Sequence, residues 1–259
     1  MVWIPFWSNR GKKAEDTVAE SNSAAKCPVD HSKFPKNEAA CPVDHTKLDP
    51  RTNMPANLSP TQRVPGQKIL LPTERTISSI PRGDDEKEGL WEYPSPQQML
   101  NAMVRKGHKD TPEADVPAMV DVHNFLNEGA WDEILKWEQK YTNISGKNPR
   151  LLKFTGRPND MSPRAVMIQV LGRIYPSKFG TEPPFDRHDW TVLRYGQQGE
   201  KNEVRYVIDY YSGELEEGYP TFVLDVRPAL DSFQSIYDRS ELWSRQVFEK
   251  ALGRGGKTE

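Results

Sequence analysis

The chain has 259 residues, enough for one large domain or two small ones, and its 35 Lys and Arg nearly balance its 37 Asp and Glu. A formal net charge of −2 provides no basic field of the kind that nucleic-acid-binding proteins use, so no nucleic-acid partner is expected. Only 36% of the residues are hydrophobic and 22 are Pro, which indicates that part of the chain lies outside a packed core. No apolar run reaches the roughly eighteen residues of a membrane-spanning helix, and none is predicted.

The N-terminus is aromatic, with Trp3, Phe6 and Trp7, and basic residues follow at Arg10 and Lys12. Aromatic and basic side chains together suit the headgroup layer of a membrane, so shallow peripheral attachment is one interpretation. A disordered tip that carries a few exposed apolar side chains is the alternative, and we give the two equal weight.

Both cysteines of the chain lie in one pentapeptide, Cys-Pro-Val-Asp-His, which occurs at residues 27–31 and again at 41–45. Proline after cysteine fixes φ and removes an N–H, which leaves an exposed thiolate that suits an axial position of haem iron. No CxxC pair is present, so neither a zinc ribbon nor a thioredoxin-type site is predicted. Cys27 and Cys41 are therefore candidate haem ligands.

These repeats belong to a predicted N-terminal arm, residues 1–89, that is rich in Pro, Asn, Lys, Asp and Ser. Such a composition is typical of an extended or disordered segment. Within it, the apolar residues at 69–71 and 77–80 are candidates for docking on the folded part of the chain.

A folded domain is predicted over residues 90–259. Ser95 followed by Pro96 is typical of a helix N-cap with proline at the first helical position, and Gly107 of the end of that helix. A longer helix is expected from Asp115 to about residue 141, because its apolar residues are spaced alternately by three and four. This stripe consists of Met119, His123, Leu126, Ala130, Ile134, Trp137 and Tyr141.

The second half of the domain is predicted to contain strands between helices. A short strand is expected at 151–154, a helix at 162–172, strands at 190–195, 203–211 and 221–226, and a last helix capped by Asp231 that ends near 252. The β-branched and aromatic residues of the three later strands, with glycines between them, indicate an antiparallel meander. The fold class is therefore α+β, with several helices packed against a small antiparallel β-meander.

His123 is the first candidate for chemistry, because it occupies a position in the apolar stripe of the long helix. A histidine in such a stripe is more often a packed and hydrogen-bonded core residue than a ligand. However, Trp131, Trp137 and Tyr141 offer flat apolar surface near the same face. A porphyrin needs such a surface beside one imidazole aimed at its iron.

His188 is the second candidate, in a loop predicted to lead into a strand and flanked by Asp186 and Asp189. Two carboxylates would favour the protonated imidazole, so His188 could act as a general acid, or the acids could simply cap turns. Nearby arginines could hold haem propionates or form structural ion pairs with Asp189, Asp209 and Asp225, and Glu128 is expected to anchor the long helix. These arginines are Arg187, Arg194, Arg205 and Arg227.

Four segments resemble, in order, the holocytochrome c synthase family, also called the cytochrome c haem lyases. They are VHNFLNEGAW at 122–131, PFDRHDW at 184–190, VRYVIDYY at 204–211 and LDVRPALD at 224–231. The likeness extends over about residues 91–243, and the Cys-Pro repeats fit the haem-binding Cys-Pro elements of the family.

The resemblance implies an enzyme of the carbon–sulfur lyase class that attaches haem b (iron protoporphyrin IX) to apocytochrome c through two thioethers. It also implies peripheral contact with the inner mitochondrial membrane, on the intermembrane-space face. His123 would be the iron ligand, opposite the histidine of the Cys-x-x-Cys-His segment of the substrate, and Cys27 and Cys41 would have an accessory role. The resemblance places Asn124, Glu128 and Trp131 in a haem-contact segment, and Arg187, His188, Asp189, Trp190 and Arg194 in a second segment implicated in haem handling.

Three other functions are compatible with the same residues. The first is the same chemistry on cytochrome c1. The second is a haem sensor that uses the Cys-Pro thiolates and performs no chemistry. The third is a membrane-peripheral scaffold that binds no haem.

Overall fold

The computed structural model describes residues 2–5, 48–56, 58–108, 110–216 and 219–251. Cys27 and Cys41 lie outside the described residues, so their assignment as haem ligands stays a prediction. In chain order the elements are β1 (Val2–Pro5), β2 (Ile77–Pro81), β3 (Leu90–Glu92), α1 (Pro96–Arg105), α2 (Val116–Ser145), β4 (Arg150–Gly156), α3 (Pro163–Ile174), α4 (Pro176–Phe179), β5 (Asp186–Tyr195), β6 (Lys201–Glu216), β7 (Tyr219–Pro228) and α5 (Phe233–Ala251).

An antiparallel sheet in the order β1-β7-β6-β5-β4 forms the centre of the molecule. Strands β5, β6 and β7 form the predicted meander, so the α+β class is confirmed. Strand β5 begins earlier than predicted and includes His188, which pairs with Ile208. Because side chains alternate along a strand, His188 and Trp190 lie on one face of the sheet and Arg187 and Asp189 on the other.

Strand β1 is an edge strand that the sequence analysis did not predict. Its backbone pairs with β7, with Trp3 opposite Val223. Neither interpretation of the N-terminus, the membrane contact or the disordered tip, included this pairing. The partner strand lies more than 200 residues away along the chain, so no local sequence pattern predicts the pairing.

Helix α2 packs on the face of the sheet that carries Trp190. The predicted apolar stripe is confirmed, because Leu126, Ala130 and Ile134 are buried in one cluster with Trp190. Trp131 joins this core with 2% of its surface exposed. Burial of each large side chain contributes about 1.5–3 kcal/mol, so this contact fixes the position of α2 on the sheet.

The short strands β2 and β3 form a second, two-stranded sheet that packs on the same core. The predicted docking of residues 77–80 is confirmed by Ile80, which is 2% exposed and belongs to the main hydrophobic cluster. Trp91 of β3 is also buried there, and its indole N–H donates to the carbonyl of Leu151 at 3.1 Å. Strands β2 and β3 lie on either side of residue 89, and the division of the chain there stays a prediction.

Two local predictions concern the ends of α3. Ser162 caps α3 as expected, since its Oγ accepts a hydrogen bond from the N–H of Ala165 at 3.1 Å. Gly172 does not end α3: a Cβ there would lie 2.6 Å from the carbonyl oxygen of Phe179, so glycine allows α4 to approach.

The prediction that Asp231 caps the last helix is wrong. Ser232 provides the cap, since its Oγ accepts from the N–H of Ser235 at 3.1 Å. Asp231 instead forms a bidentate ion pair with Arg205, with contacts of 2.6 and 2.8 Å. Among the described residues, no helix is long and apolar enough to cross a membrane.

Candidate functional site

The structure brings His123 and His188 to the same side of the sheet, His123 from α2 and His188 from β5. The charge of His188 contributes to the lowered pKa of His123, so the two imidazoles are within electrostatic reach. Both rings are half-buried. This pair is the centre of the candidate site.

Amide side chains of α2 hold the imidazole of His123. The Asn127 Nδ2 lies 3.2 Å from its Nε2 and donates to the backbone carbonyl of His123 at 2.9 Å. The Oδ1 of Asn124 lies 3.4 Å from Nδ1. A proton on Nδ1 would be shared with Asn124, and the lone pair of Nε2 would then face the amide of Asn127, which a metal would have to displace. The ring of Tyr93 meets the imidazole edge-on, with 6.2 Å between ring centroids.

Burial lowers the pKa of His123 to about 4, and the charge of His188 acts in the same direction. The hydrogen bond to Asn124 and the charge of Asp186 oppose this shift but do not cancel it. The imidazole is therefore neutral at physiological pH, which is the form that can ligate iron.

We expect the His123 ring to stay neutral well below the usual histidine range, titrating near pH 4. Because the unfolded chain takes up this proton at about pH 6.5, the free energy of unfolding should fall as the pH drops from 6.5 towards 4. The loss should amount to at most about 3 kcal/mol, and the His123→Gln variant should lack it. Imidazole NMR signals of the full-length protein, followed from pH 7.5 to about pH 4, test the titration directly.

The matched variant for this titration is His188→Gln, which removes one of the causes of the shift. This variant should raise the pKa of His123, and the imidazole NMR signal of His123 should still report the titration. A His123 titration near the ordinary histidine value in the wild type would contradict the account.

Glu128 anchors α2 to the small sheet, as predicted. Its carboxylate accepts from the N–H of Ser79 at 3.0 Å and from the hydroxyl of Tyr93 at 2.9 Å, and also from the hydroxyl of Ser79. Burial and the charge of Glu128 raise the pKa of Tyr93, so its hydroxyl stays a donor. Glu128 therefore acts on His123 through the ring of Tyr93.

His188 contacts one carboxylate rather than two. Its Nε2 lies 3.1 Å from Asp186 Oδ2, and its Nδ1 lies 3.5 Å from the hydroxyl of Tyr210. The expectation that Asp189 also flanks it is wrong, because residues 188 and 189 point to opposite faces of β5. Burial and the charge of Asp186 raise the pKa of Tyr210, which therefore stays protonated.

On the opposite face of the sheet, Asp189 is surrounded by arginines. Arg187 contacts it at 3.0 Å, Arg205 at 2.8 Å and Arg157 at 3.3 Å. The sheet separates Arg187 and Asp189 from the two histidines. The structural ion-pair interpretation fits both residues, and their contact with haem stays a prediction.

Arg227 lies on this second face as well, in a buried cluster. Its guanidinium contacts Asp209 at 2.6 Å, Asp225 at 2.9 Å and the hydroxyl of Ser162 at 2.7 Å. Ser162 in turn donates to Asp209 at 2.5 Å. These contacts tie the start of α3 to β6 and β7.

Arg194 lies on the histidine face but at the far end of β5, about 20 Å from His188 at the usual rise per residue. It contacts Glu138 at 2.7 Å and Asp238 at 3.3 Å, and it stacks 3.6 Å above the ring of Tyr141. A haem propionate would have to displace these buried partners.

Residues 6–243 match the sequence profile of the cytochrome c/c1 heme lyase family. The chain belongs to this family. It is 48% identical over 255 residues to the holocytochrome-c synthase of Saccharomyces cerevisiae, an alignment that covers 92% of this chain and 93% of the relative. It is 44% identical over 205 residues to the human holocytochrome c-type synthase, covering 76% of this chain and 70% of the relative. A putative holocytochrome-c1 synthase of Schizosaccharomyces pombe is 40% identical over 185 residues, covering 70% of this chain and 79% of the relative. No solved structure matches the chain.

Sequence analysis of this heme lyase missed partners of both histidines. Tyr93 is 30 residues from His123 along the chain and carries no spacing signal. Tyr210 is recognisable only once the register of β5 and β6 is known, since it pairs with Asp186. Asp186 was predicted to flank His188, and the contact at 3.1 Å confirms it, since the two residues lie on the same face of β5.

The two tryptophans that the resemblance places near haem are buried in the main hydrophobic core rather than exposed in an open slot. Trp131 and Trp190 are 2% and 1% exposed. The Nε1 of Trp190 is buried and has no acceptor within the described part of the chain, so it is one donor that a ligand could use. Half-buried Phe185 lies over Tyr210, with 6.2 Å between ring centroids, and provides aromatic surface beside His188.

A cleft of about 620 Å³ lies at the other end of the sheet of this heme lyase, beside Tyr195. Charged side chains line it, among them Asp84, Glu86 and Lys147, and none of the predicted site residues does. A porphyrin is mostly apolar, so the chemistry of this cleft does not suit it.

Proposed function

We propose that this heme lyase attaches haem b (iron protoporphyrin IX) to apocytochrome c by joining both haem vinyl groups to the thiols of a Cys-x-x-Cys-His segment. The single observation that carries the proposal is the imidazole of His123, half-buried and kept neutral by its surroundings. Membership of the heme lyase family supplies the reaction class.

His123 is assigned one axial position of the haem iron. Asn124 and Asn127 hold its ring, and Tyr93 limits its rotation. The histidine of the substrate segment takes the opposite axial position, so the porphyrin is held between the two proteins. Fixing the vinyl groups and thiols in this way can lower the activation free energy by about 7–11 kcal/mol, because it replaces a bimolecular encounter.

Each thioether forms by addition of an S–H bond across a vinyl C=C bond. The sulfur bonds to the inner vinyl carbon and a proton is added to the outer one, so nothing leaves and no electrons are gained or lost. The thiols must be reduced before the reaction, and we expect ferrous iron. The protein therefore has to position the groups and supply a proton.

His188 is assigned the role of proton donor, with Asp186 as its positioning residue. The carboxylate at 3.1 Å orients the ring, and the thiol proton of the substrate replaces the proton that the ring gives up. The hydroxyl of Tyr210 holds the other ring nitrogen. Asp186, His188 and Tyr210 thus form one hydrogen-bonded group on the His123 side of the sheet.

His188→Gln is expected to reduce thioether formation by about 10²-fold while haem occupancy stays near that of the wild type, since general acid catalysis contributes 10²–10⁴-fold. Asp186→Asn should act in the same direction and shift the alkaline limb of the pH–rate profile, because a general acid loses its proton there. Single-turnover attachment to apocytochrome c, with bound haem quantified separately, distinguishes the two effects.

Asp160→Asn provides the matched control, because Asp160 is an exposed carboxylate that pairs only loosely with Arg157 at 3.8 Å. Unchanged rates and pH profiles in both site variants would remove His188 from the mechanism and leave positioning as the contribution of the protein.

Apocytochrome c is the proposed protein substrate rather than cytochrome c1. The 48% identity to the holocytochrome-c synthase of Saccharomyces cerevisiae exceeds the 40% identity to a putative holocytochrome-c1 synthase. Co-expression with each apocytochrome, followed by a haem-stained denaturing gel, tests this choice. A covalent product also excludes the haem-sensor and scaffold functions.

The proposed place of the reaction is the intermembrane-space face of the inner mitochondrial membrane, with peripheral membrane contact. Cys27 and Cys41 are assigned an accessory role in presenting haem, and their replacement should matter only when haem is scarce.

A further inference from the structure

Helix α3 carries an apolar stripe on its outer side. Val166, Met167, Val170 and Ile174 recur at the three- and four-residue spacing of one helix face. Their exposed fractions lie between 42% and 64%. The inner side of the helix is different, because Ala165 is 1% exposed. We call these four exposed residues the α3 stripe.

The charged residues within α3 and α4 all have one sign. Residues 163–179, which cover α3 and α4, contain Arg164, Arg173 and Lys178 but no Asp or Glu. Arg164 is partly neutralised by Asp225 at 3.4 Å. Arg173 and Lys178 flank the exposed end of the stripe, next to Tyr175, which is 62% exposed.

Exposed apolar residues with basic and tyrosine side chains beside them are the composition of a helix that lies in a membrane interface. A second copy of the chain is a poorer occupant, because a two-fold contact would place the same basic residues against each other. An anionic lipid surface complements both features at once, since phosphates attract the basic side chains and acyl chains accept the stripe.

We propose that α3 and α4 bind an anionic phospholipid surface, with the α3 stripe inserted at the level of the headgroups and Arg173 and Lys178 at lipid phosphates. This inference deepens the membrane contact of the proposed function and locates it. The start of α3 contacts Asp209 and Asp225, which lie on the face of the sheet opposite to the two histidines. Residues 180–185 then connect α4 to β5, which carries Asp186 and His188.

The test is flotation of the full-length protein with vesicles of phosphatidylcholine alone and of phosphatidylcholine mixed with phosphatidylglycerol. The wild type should bind the anionic vesicles, and binding should weaken as salt is added. The Met167→Glu, Val170→Glu double variant should reduce the bound fraction at least about tenfold. Arg173→Glu with Lys178→Glu should remove the preference for anionic vesicles.

The matched control is Leu70→Glu with Ile144→Glu, which places the same charges at apolar side chains that are 79% and 59% exposed elsewhere on the surface. This variant should bind as the wild type does. Equal binding by the stripe variant and the wild type, or loss only when Trp3 and Trp7 are replaced by Ser, would overturn the inference. The inference would also be overturned if, without lipid, the wild type is a dimer and the stripe variant is a monomer, because the α3 stripe would then be a contact between two copies.

Circular dichroism and attachment activity in detergent, measured on the same preparations, keep the two proposals separate. A stripe variant that loses vesicle binding but attaches haem normally in detergent supports the lipid surface. If the wild type does not attach haem to apocytochrome c in detergent, the proposed function is contradicted and the vesicle result is unaffected.

Discussion

His123→Ala is expected to reduce the yield of covalent holocytochrome by at least about 10²-fold and to lower haem occupancy of the purified enzyme. The imidazole is the proposed iron ligand, and without it the porphyrin is no longer held against the thiols of the substrate. Because the ring is half-buried and its contacts are mainly to Asn124, Asn127 and Tyr93, the fold should survive the change. Co-expression with apocytochrome c and a haem-stained gel measure the yield.

His108→Ala is the matched control, since it removes another histidine of the described chain outside the candidate site. It should leave the yield unchanged. Imidazole added to the His123→Ala variant should partly restore haem occupancy by filling the space of the lost ring. Full yield from the variant without imidazole would contradict the ligand assignment.

The largest effect on stability is expected for Glu138→Leu. Glu138 is 1% exposed and receives hydrogen bonds from Arg194 and from the hydroxyl of Tyr206. Its removal leaves Asp238 as the remaining carboxylate partner of the buried Arg194 among the described residues, and the free energy of unfolding should fall by about 3–5 kcal/mol. Urea denaturation of the purified protein measures this loss.

Glu133→Leu is the control on the same helix, because Glu133 pairs with the largely exposed Lys136 and should change stability by less than about 1 kcal/mol. The double variant Glu138→Leu, Arg194→Leu should recover much of the loss, since it leaves no unpaired charge at either position. Normal haem occupancy in this double variant would confirm that Arg194 is structural. Loss of haem with the fold intact would favour its predicted contact with a propionate.

Most helices and the meander could be predicted because their signals are local. Ser95 and Ser162 each precede a proline and cap a helix through Oγ, and the stripe of α2 repeats at helical spacing. Four separate segments sufficed to identify the family, which the sequence profile confirms.

What the sequence analysis missed depends on contacts between distant parts of the chain. The pairing of β1 with β7 and the approach of Tyr93 to His123 leave no trace in local spacing. The start of β5 resembled a loop, because Pro183 and Pro184 precede a run of charged residues. That misplaced boundary hid the alternation that puts Asp186 beside His188 and sends Asp189 to the other face of the sheet.

The arginines were ambiguous for a different reason. A guanidinium that binds a propionate and one that binds a carboxylate look the same in a sequence. The structure gives Arg187, Arg194, Arg205 and Arg227 protein partners. The neutral state of His123 was equally hidden, since it follows from burial and from the charge of a second histidine on another element.

The most direct test of the central claim is the optical and electron paramagnetic resonance spectrum of haem in the full-length enzyme co-purified with apocytochrome c, recorded after the iron has been oxidised to the ferric state. We expect a low-spin ferric iron with two histidine ligands, and the loss of that spectrum in His123→Ala but not in His108→Ala. A thiolate-ligated spectrum that disappears with Cys27→Ala and Cys41→Ala, or a two-histidine spectrum that survives His123→Ala, would contradict it.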